Sequence, residues 1–221
     1  PEVGELVDRN VCEWLLPLLG VAGAESVNGF HQFEKGLRFW APCDGTYINL
    51  GRLDWGGEAR AGRARHELTG HGCARIRDWL ALRHQVELLT DVSITRVDLA
   101  VDCMQGEFGV DDAVGWYQAN EFMVQASGRK PRHSTVGDWL DPEHPRGRTL
   151  EVGRRENGKM CRVYEKGRQL GDSHSPWVRF EVELRNNDRD IPLDVLTECD
   201  VYFAGAYRCL ERVLPVAGER I

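Results

Sequence analysis

Two neighbouring stretches of the chain carry side chains that could act together on a phosphate. CRVYEKGRQL contains Tyr164 between Arg162 and Lys166, and WVRFEVELR follows with Glu181 and Glu183. A tyrosine hydroxyl, with an ordinary pKa of about 10, becomes a nucleophile only when a base or nearby cations favour the phenolate. Arg162 and Lys166 would supply such cations if a strand presented all three side chains on one face. The pattern makes Tyr164 a candidate nucleophile.

Carboxylates on neighbouring strands could hold a divalent cation. Alternation along WVRFEVELR puts Arg179, Glu181 and Glu183 on one face, and alternation along SITRVDLAVDC puts Asp98 on the polar face of another strand. Strands lie about 4.8 Å apart, so one acid from each of two or three strands makes an oxygen site suited to Mg²⁺ or Mn²⁺. The preferred pair is Asp98 with Glu181 or Glu183.

Less specific interpretations of these residues stay open. The acids and arginines could form cross-strand ion pairs on a solvated sheet face, and Tyr164 could pack its ring at a sheet edge. Glu181 and Glu183 could also serve a hydrolase acting on sugars. Such a hydrolase gives no role to Tyr164 or to the local surplus of basic residues.

The hydrophobic pattern predicts the elements that would carry these residues. Apolar residues alternate in strands and recur every three to four positions in helices. Strands are predicted at 31–41, 45–53, 64–70, 92–104, 147–155, 159–167 and 176–186, and helices at 6–19, 73–89, 110–124 and 192–214, the last with a break near residues 204–205. Residues 126–148 lack either period and are predicted to form a mobile or functional loop. The order of elements predicts one α+β domain over residues 1–221, with a largely antiparallel central sheet, helices packed on one face and an open polar face as the active site.

The distribution of charge suggests where nucleic acid would bind. A net charge of −7 argues against a protein that coats nucleic acid indiscriminately. Residues 52–83 nevertheless hold seven arginines against four acids, and residues 128–168 hold eleven Lys and Arg against six acids. Salt-bridged surface is the simpler explanation of such mixed charges. The specific interpretation is a DNA-binding surface, for which we select Arg129, Lys130, Arg132, Arg162 and Arg179.

Cysteine usage and hydropathy limit the class of protein. The seven cysteines are odd in number and scattered without a CxxC pair, which favours reduced thiols in a cytoplasmic protein. No window approaches 18 continuous apolar residues and no basic, then apolar, segment opens the chain, so neither a membrane span nor a targeting segment is expected. The chain starts at Pro1 without a methionine, which is compatible with removal of residues from either end.

Several motifs together resemble the replication initiation factor family of filamentous phages, rolling-circle plasmids and mobile elements. The motifs are SITRVDLAVDC, GRTLEVGRRENGKMCRVYEKGRQLGD and WVRFEVELRN, with HELTGHGC upstream and VYFAGAY downstream. The resemblance extends from about residue 30 to residue 207, and phage-type initiators are the most similar members.

This resemblance implies a site- and strand-specific DNA-nicking enzyme that joins itself to DNA. Tyr164 matches the family tyrosine that attacks the scissile phosphodiester, which gives a 5′-phosphotyrosine link and a free 3′-OH that primes replication. Lys166 would neutralise the phosphate or the phenolate. Asp98, Glu181 and Glu183 match the family's acidic strand residues, which would hold the divalent ion, with Glu67 of HELTG as a further ligand.

The resemblance also implies partners, and two departures from the family pattern accompany it. The partners are a replication origin presented as single-stranded or extruded DNA, a second copy of the chain, and the helicase and polymerase of a bacterial host, in the cytoplasm. Glu151 stands where relatives often carry tyrosine. The histidine–hydrophobic–histidine pair of better-known nickases is missing, so the fold would be HUH-endonuclease-like without the HUH motif. The alternative function is a non-catalytic origin-binding module.

Overall fold

The backbone divides into two compact units, residues 1–79 and 80–221. The structure is a computed structural model that describes residues 13–60, 62–123, 128–141 and 147–215. Each unit is built around an antiparallel sheet. The α+β class with antiparallel strands is therefore confirmed, but the strands form two sheets rather than one central sheet. The expectation that the whole chain acts as a single nicking domain stays a prediction.

The first unit is a four-stranded meander in the order β1-β2-β3-β4. Its strands are β1 (Gly23–Asn28), β2 (Lys35–Cys43), β3 (Thr46–Trp55) and β4 (Ala64–Leu68), with a 3₁₀ turn at Glu58–Arg60 and helices α1 (Leu16–Leu19) and α2 (Gly70–Cys73). Pro17 stands in the first turn of α1, where its missing N–H leaves no bond unmade, and Gly20 ends the helix in the left-handed region. Helix α3 (Trp79–Glu87) follows. The predicted helix at 73–89 is thus shorter, because only residues 79–87 form a helix and residue 73 ends α2. Residues 6–12 of the first predicted helix lie outside the described residues.

The second unit holds a five-stranded sheet in the order β5-β9-β8-β7-β6. Its strands are β5 (Arg96–Cys103), β6 (His133–Gly137), β7 (Arg148–Arg154), β8 (Lys159–Tyr164) and β9 (Val178–Arg185). Its helices are α4 (Val110–Gln118), α5 (Lys166–Gln169) and α6 (Cys199–Ala206), with 3₁₀ turns at Arg155–Asn157, Leu193–Leu196 and Arg208–Val213. Every neighbouring pair of strands is antiparallel.

Helices cover one face of this sheet, as expected, because every second residue of its strands is apolar. Phe180, Val182, Cys161 and Val163 are completely buried there. They pack in one hydrophobic cluster with side chains of α4, α6 and the C-terminal 3₁₀ turn. Burying such side chains is worth about 1.5 to 3 kcal/mol each. The opposite face of β8 and β9 is left with the charged residues and Tyr164.

The segment 126–148, predicted to be a loop without regular structure, contains a strand. Residues His133–Gly137 form the edge strand β6, paired with β7 from His133 opposite Val152 to Gly137 opposite Arg148. All five side chains of β6 are exposed, so the strand has no apolar alternation that a pattern search could detect. Trp139 packs against the core and donates its indole N–H to the carbonyl of Val136. Residues 126, 127 and 142–146 of the predicted loop lie outside the described residues.

The predicted C-terminal helix at 192–214 is interrupted. Tyr207 has an extended backbone, with φ −146° and ψ 124°, and separates α6 from the 3₁₀ turn that follows. Its ring is buried, and its hydroxyl donates to the carbonyl oxygen of Val152 at 3.3 Å. The interruption therefore fixes Tyr207 beneath the sheet, with its ring buried.

Glycine is required at position 153, which yields the first prediction. Gly153 has φ 89°, and a Cβ there would lie 2.5 Å from the Tyr207 hydroxyl and 2.6 Å from the carbonyl oxygen of Lys159. We expect Gly153→Ala to lower the free energy of unfolding by about 2 to 3 kcal/mol, since the change adds left-handed strain to a clash. Urea unfolding measures the change.

A second glycine provides the matched control. Gly115 lies within α4, and a Cβ there would meet nothing within 4 Å. Gly115→Ala should raise the free energy of unfolding by about 0.5 to 1 kcal/mol, because alanine favours helix. Equal effects of the two substitutions would show that the contact with Tyr207 does not constrain Gly153.

Candidate active site on the polar sheet face

The register of three adjacent strands brings the predicted site residues of the second unit together. Across β5 and β9, Asp98 lies opposite Glu183 and Asp102 lies opposite Arg179. Across β8 and β9, Arg162 lies opposite Glu181 and Tyr164 lies opposite Arg179. We call this charged surface of β5, β8 and β9 the polar face. Strand β9 is paired on both sides, so its residues contact both neighbouring strands.

Tyr164 is anchored by a carboxylate. Its hydroxyl donates to Oε2 of Glu181 at 3.1 Å. The other carboxylate oxygen of Glu181 accepts a hydrogen bond from the guanidinium of Arg162. All three side chains are partly buried, with 12% of the Glu181 side chain exposed. Glu181 therefore holds the phenol proton on one side and an arginine on the other.

The surroundings of Tyr164 keep its hydroxyl protonated. Burial, which disfavours the phenolate, and the negative charge of Glu181 raise the pKa of Tyr164 to about 12, although Arg179 opposes this shift. At neutral pH the tyrosine is therefore a hydrogen-bond donor and Glu181 is its acceptor. Attack by this oxygen would need transfer of the proton to a base, and Glu181 is the base already in contact.

Lys166 lies beside Tyr164, but on a different element from the one expected. Strand β8 ends at Tyr164, and Lys166 is the first residue of the short helix α5. Its ammonium lies 5.7 Å from the centre of the Tyr164 ring and donates to Oε1 of Gln169 at 2.9 Å. The ammonium of Lys166 is thus placed beside Tyr164 by a helix and not by the alternation of a strand.

Asp102 and Trp177 are site residues that the sequence reasoning missed. Asp102 accepts two hydrogen bonds from Arg179, at 2.8 and 2.6 Å, and one from the indole of Trp177 at 2.6 Å. A bidentate carboxylate fixes both the position and the plane of a guanidinium. Asp102 therefore orients Arg179 toward Tyr164, which lies directly across from it. Asp102 lies four residues after Asp98 and so shares its strand face, but only the pairing of β5 with β9 identifies its partner.

Glu183 is the most buried acid of the polar face. Only 1% of its side chain is exposed, and its oxygens lie 2.5 Å from Arg185, 3.0 Å from Arg155 and 3.4 Å from Arg96. Burial by itself would raise the pKa of Glu183, but hydrogen bonds from Arg185 and Arg155 outweigh that effect and hold the pKa below its ordinary value. The carboxylate is therefore charged at neutral pH and surrounded by guanidinium groups.

The expected metal ligands offer suitable atoms but are already paired. Asp98 is bound by Arg96 through two hydrogen bonds of 2.8 and 2.5 Å, and Arg96 also reaches Glu183. Within the described ranges, no group of three or more His, Cys, Asp or Glu side chains is arranged to hold a metal ion. Two facing carboxylates still match the oxygen ligands of Mg²⁺ and Mn²⁺. A cation at this position would have to displace the guanidinium of Arg96 that now bridges them.

Glu67, the other expected ligand, belongs to the first unit. It lies on β4, half exposed, and forms an ion pair with Arg65. Arg65 also binds the fully buried Asp54 at 2.9 Å, together with Arg52. Part of the basic surplus at 52–83 is thus neutralised within the first sheet. The role of Glu67 as a metal ligand stays a prediction.

Three predicted DNA contacts precede β6. Arg129 and Arg132 are exposed, and the ammonium of Lys130 lies 4.2 Å from the centre of the Tyr117 ring. Tyr117 also donates to the carbonyl oxygen of Pro131 at 2.8 Å. The segment is therefore held against α4. Its role in DNA binding is a prediction that the geometry leaves open.

The pairing of Asp102 yields a stability prediction. Burial would raise the pKa of Asp102, but hydrogen bonds from Arg179 and Trp177 outweigh it, so the pKa is lowered on folding. A lowered pKa stabilises the folded protein above the pKa of the unfolded chain, and this contribution is lost as the pH falls through the folded value. Asp102→Asn should therefore cost about 1 kcal/mol at neutral pH and progressively less in acid. Urea unfolding at a series of pH values measures this difference.

An exposed ion pair serves as the control for that measurement. Asp111 accepts two hydrogen bonds from Arg148, but 76% of its side chain is exposed. Asp111→Asn should change the free energy of unfolding by no more than about 0.5 kcal/mol. A loss in Asp102→Asn that stays the same at neutral and acid pH would contradict the ionic account of Asp102.

Comparisons with known proteins identify the family and a similar structure. The family model for the replication initiation factor matches residues 92–217, more than half of the chain and all of the polar face. A solved structure of a rolling circle replication initiator protein from Geobacillus stearothermophilus is similar at a TM-score of 0.60 and 26% identity, over 92% of this chain and 71% of that chain. No curated protein matches. None of the helices in the described ranges is long and apolar enough to cross a membrane. The chain belongs to the replication initiation factor family.

Proposed function

We propose that the protein initiates rolling-circle replication by nicking one DNA strand and becoming joined to its 5′ end through Tyr164. The observation that carries the proposal is the 3.1 Å hydrogen bond from the Tyr164 hydroxyl to Glu181, between Arg162 and Arg179. A nucleophile, a proton acceptor and two cations on one sheet face are the groups that phosphodiester transfer requires. Family membership supplies the reason to choose DNA as the substrate.

Glu181 acts as the general base in this proposal. It accepts the phenol proton as the Tyr164 oxygen attacks phosphorus, and the bond from phosphorus to the 3′ oxygen breaks. The departing 3′ oxygen takes up a proton and becomes the 3′-OH. Arg162 remains paired with Glu181 and keeps the carboxylate in position. A positioned base of this kind contributes typically about 10² to 10⁴ in rate.

Arg179 and Lys166 stabilise the charge that builds up on the phosphate. Arg179 lies directly across from Tyr164, and Lys166 lies 5.7 Å from the centre of its ring. Asp102 and Trp177 hold Arg179 before substrate arrives, so little reorganisation is needed during the reaction. Loss of Asp102 would therefore act through Arg179 and not through the reacting atoms.

Formation of a covalent adduct tests the nucleophile. Wild-type protein incubated with labelled single-stranded origin DNA and Mn²⁺ should give a protein–DNA band that survives denaturation. Tyr164→Phe removes the attacking oxygen and should abolish this band while leaving the fold intact. An adduct that persists in Tyr164→Phe assigns the nucleophile elsewhere, and mapping of the modified peptide would identify it.

The pH dependence of adduct formation tests the base. With its pKa near 12, free Tyr164 phenolate would increase about tenfold per pH unit from neutral to alkaline pH. If Glu181 takes the proton during attack, the wild-type rate should instead be nearly level over this range. Glu181→Gln should slow the reaction at least about 100-fold at neutral pH and restore a steep rise with pH. A steep rise in the wild-type protein would exclude Glu181 as general base.

We further propose that a divalent cation, Mg²⁺ or Mn²⁺, is held by Asp98 and Glu183 in place of Arg96. Glu181 is engaged by Tyr164 and Arg162, which leaves Asp98 and Glu183 as the facing pair. When bound, the cation would act as a Lewis acid that polarises a phosphate oxygen. Arg96 is partly exposed, so its side chain can leave without unfolding the strand.

Competition with Arg96 makes the metal site testable without an activity assay. Arg96→Ala removes the cation that bridges Asp98 and Glu183, although Arg155 and Arg185 still bind Glu183. Because the pairing lost with Arg96 is worth about 1 kcal/mol at most, the substitution should tighten Mn²⁺ binding by up to about fivefold. Asp98→Asn should weaken binding strongly. The paramagnetic resonance of free Mn²⁺ measures both changes, and equal affinities in the three proteins would exclude the site.

The alternative is an origin-binding module without chemistry. Two observations favour this alternative. Every acid of the polar face is already paired with an arginine, and the raised pKa of Tyr164 keeps its hydroxyl protonated. It predicts that origin DNA binds without a divalent cation and that no nick appears with any metal. The adduct assay therefore separates the two functions.

A further inference from the structure

A basic cavity lies on the same sheet, away from Tyr164. Its volume is about 210 Å³, and it opens where the edge strand β6 meets the hairpin between β7 and β8. Three arginines line it, Arg132, Arg154 and Arg155, together with His133 and Ser134. The tyrosine mechanism proposed above uses none of these side chains.

The strand pairing fixes the side of the cavity that carries Arg132. Its carbonyl accepts the backbone N–H of Gly153 at 2.8 Å, immediately before His133 pairs with Val152. The ring of His133 lies 3.0 Å from the hydroxyl of Tyr117, which also binds the chain at Pro131. The segment is therefore tied both to β7 and to α4. A preformed wall of this kind limits the cost of ordering the site when a ligand binds.

The charges of the cavity favour an anion. Arg132 and Arg154 are exposed, and neither forms an ion pair with any residue in the described parts of the chain. Arg155 is bound to Glu183 through Nε at 3.0 Å, which orients its guanidinium. Two carboxylates, of Glu151 and Glu156, also line the cavity, so the three arginines exceed the acids by one. Glu151 accepts the hydroxyl of Ser134 at 2.8 Å.

The lining selects a phosphate rather than a nucleobase. Among the described residues, only His133 contributes an aromatic ring to the cavity lining, whereas bases are bound mainly by stacking on aromatic side chains. Arginine is the residue best suited to phosphate, because its planar fork donates two parallel hydrogen bonds. The cavity is therefore suited to a phosphate of the DNA backbone.

Strand register gives the distance from the reacting group. Met160 of the cavity and Tyr164 lie four residues apart on β8, and Gly153 and Thr149 lie opposite them on β7. Four residues of a strand span about 13 Å. The cavity is therefore too far away to hold the scissile phosphate and near enough to reach the same DNA strand a few nucleotides away.

We propose that this cavity binds a non-reacting phosphate of the nicked strand and thereby sets the position of that strand across Tyr164. The proposal rests on the proposed function in taking single-stranded DNA as the ligand. Phosphate contacts position a nucleic acid without reading its sequence, so the site should act equally on any sequence. Arg132 and Arg154 bind the phosphate. Arg155, which is held in place by its hydrogen bond to Glu183, contributes a third positive charge.

The salt dependence of DNA binding tests this site without the origin sequence. The full chain carrying Tyr164→Phe, which removes the attacking oxygen, is titrated with fluorescent oligothymidylate at several salt concentrations. Each phosphate neutralised on a single strand contributes about 0.7 to the slope of log K against log[salt]. Arg132→Ala combined with Arg154→Ala should reduce the slope by about 0.7 for one lost phosphate contact. An unchanged slope would overturn the proposal.

Two further proteins make the result specific. Arg208→Ala removes an exposed arginine from the C-terminal 3₁₀ turn, outside the cavity, and should leave the slope unchanged. Arg132→Lys combined with Arg154→Lys keeps both charges and should preserve the slope, and circular dichroism checks that each protein is folded. If the alanine protein is unfolded, Arg132→Gln combined with Arg154→Gln removes the charges with longer side chains, and an unchanged slope in that protein would overturn the proposal.

Failure of the nicking proposal remains distinguishable from failure of the cavity proposal. If the wild-type protein forms no adduct but the slope depends on Arg132 and Arg154, the cavity binds DNA and Tyr164 does not cleave it. If the wild-type protein forms the adduct but the slope is independent of these arginines, the cavity proposal is wrong and the nicking proposal stands.

Discussion

The two-residue period of β9 is the constraint on which the second unit depends. Phe180 and Val182 must be buried beneath the helices, and the pleat of the strand then forces Arg179, Glu181 and Glu183 onto the opposite face. A shift of one residue in register would expose the core and bury the charges, so the apolar face fixes the polar face. The candidate active site is thus a geometric consequence of the core.

Arginine pairing explains how so many acids are kept on one sheet. Each carboxylate of the polar face has a guanidinium partner on its own or a neighbouring strand, and Glu183, the most buried, has four arginine partners. Unpaired burial of such a charge would cost several kcal/mol. The ion pairs therefore make burial of these carboxylates possible in the folded protein. They also hold the cations in place beside Tyr164, so that the same interactions prepare a surface for phosphate.

How much of the site can be predicted depends on the kind of element that carries each residue. Tyr164, Glu181 and Asp98 sit on strands whose alternation is plain in the sequence, and their common face is confirmed. Lys166 belongs to a four-residue helix too short to show a period, and it was wrongly placed on the strand. Strand β6 was not predicted, because all of its residues are exposed and show no apolar alternation. The position of Arg132, directly before this strand, was therefore not predicted either.

The sequence by itself determined the α+β class, the strands of the site, the candidate nucleophile and the family resemblance, because these depend on local period and on residue type. Only the tertiary structure decided which strands are neighbours. The pairing of β5 with β9 gives Arg179 its partner Asp102, and the pairing of β8 with β9 gives Tyr164 its partner Glu181. Such contacts join residues that are distant in the chain, and the alternation within one strand carries no information on the order or register of the others.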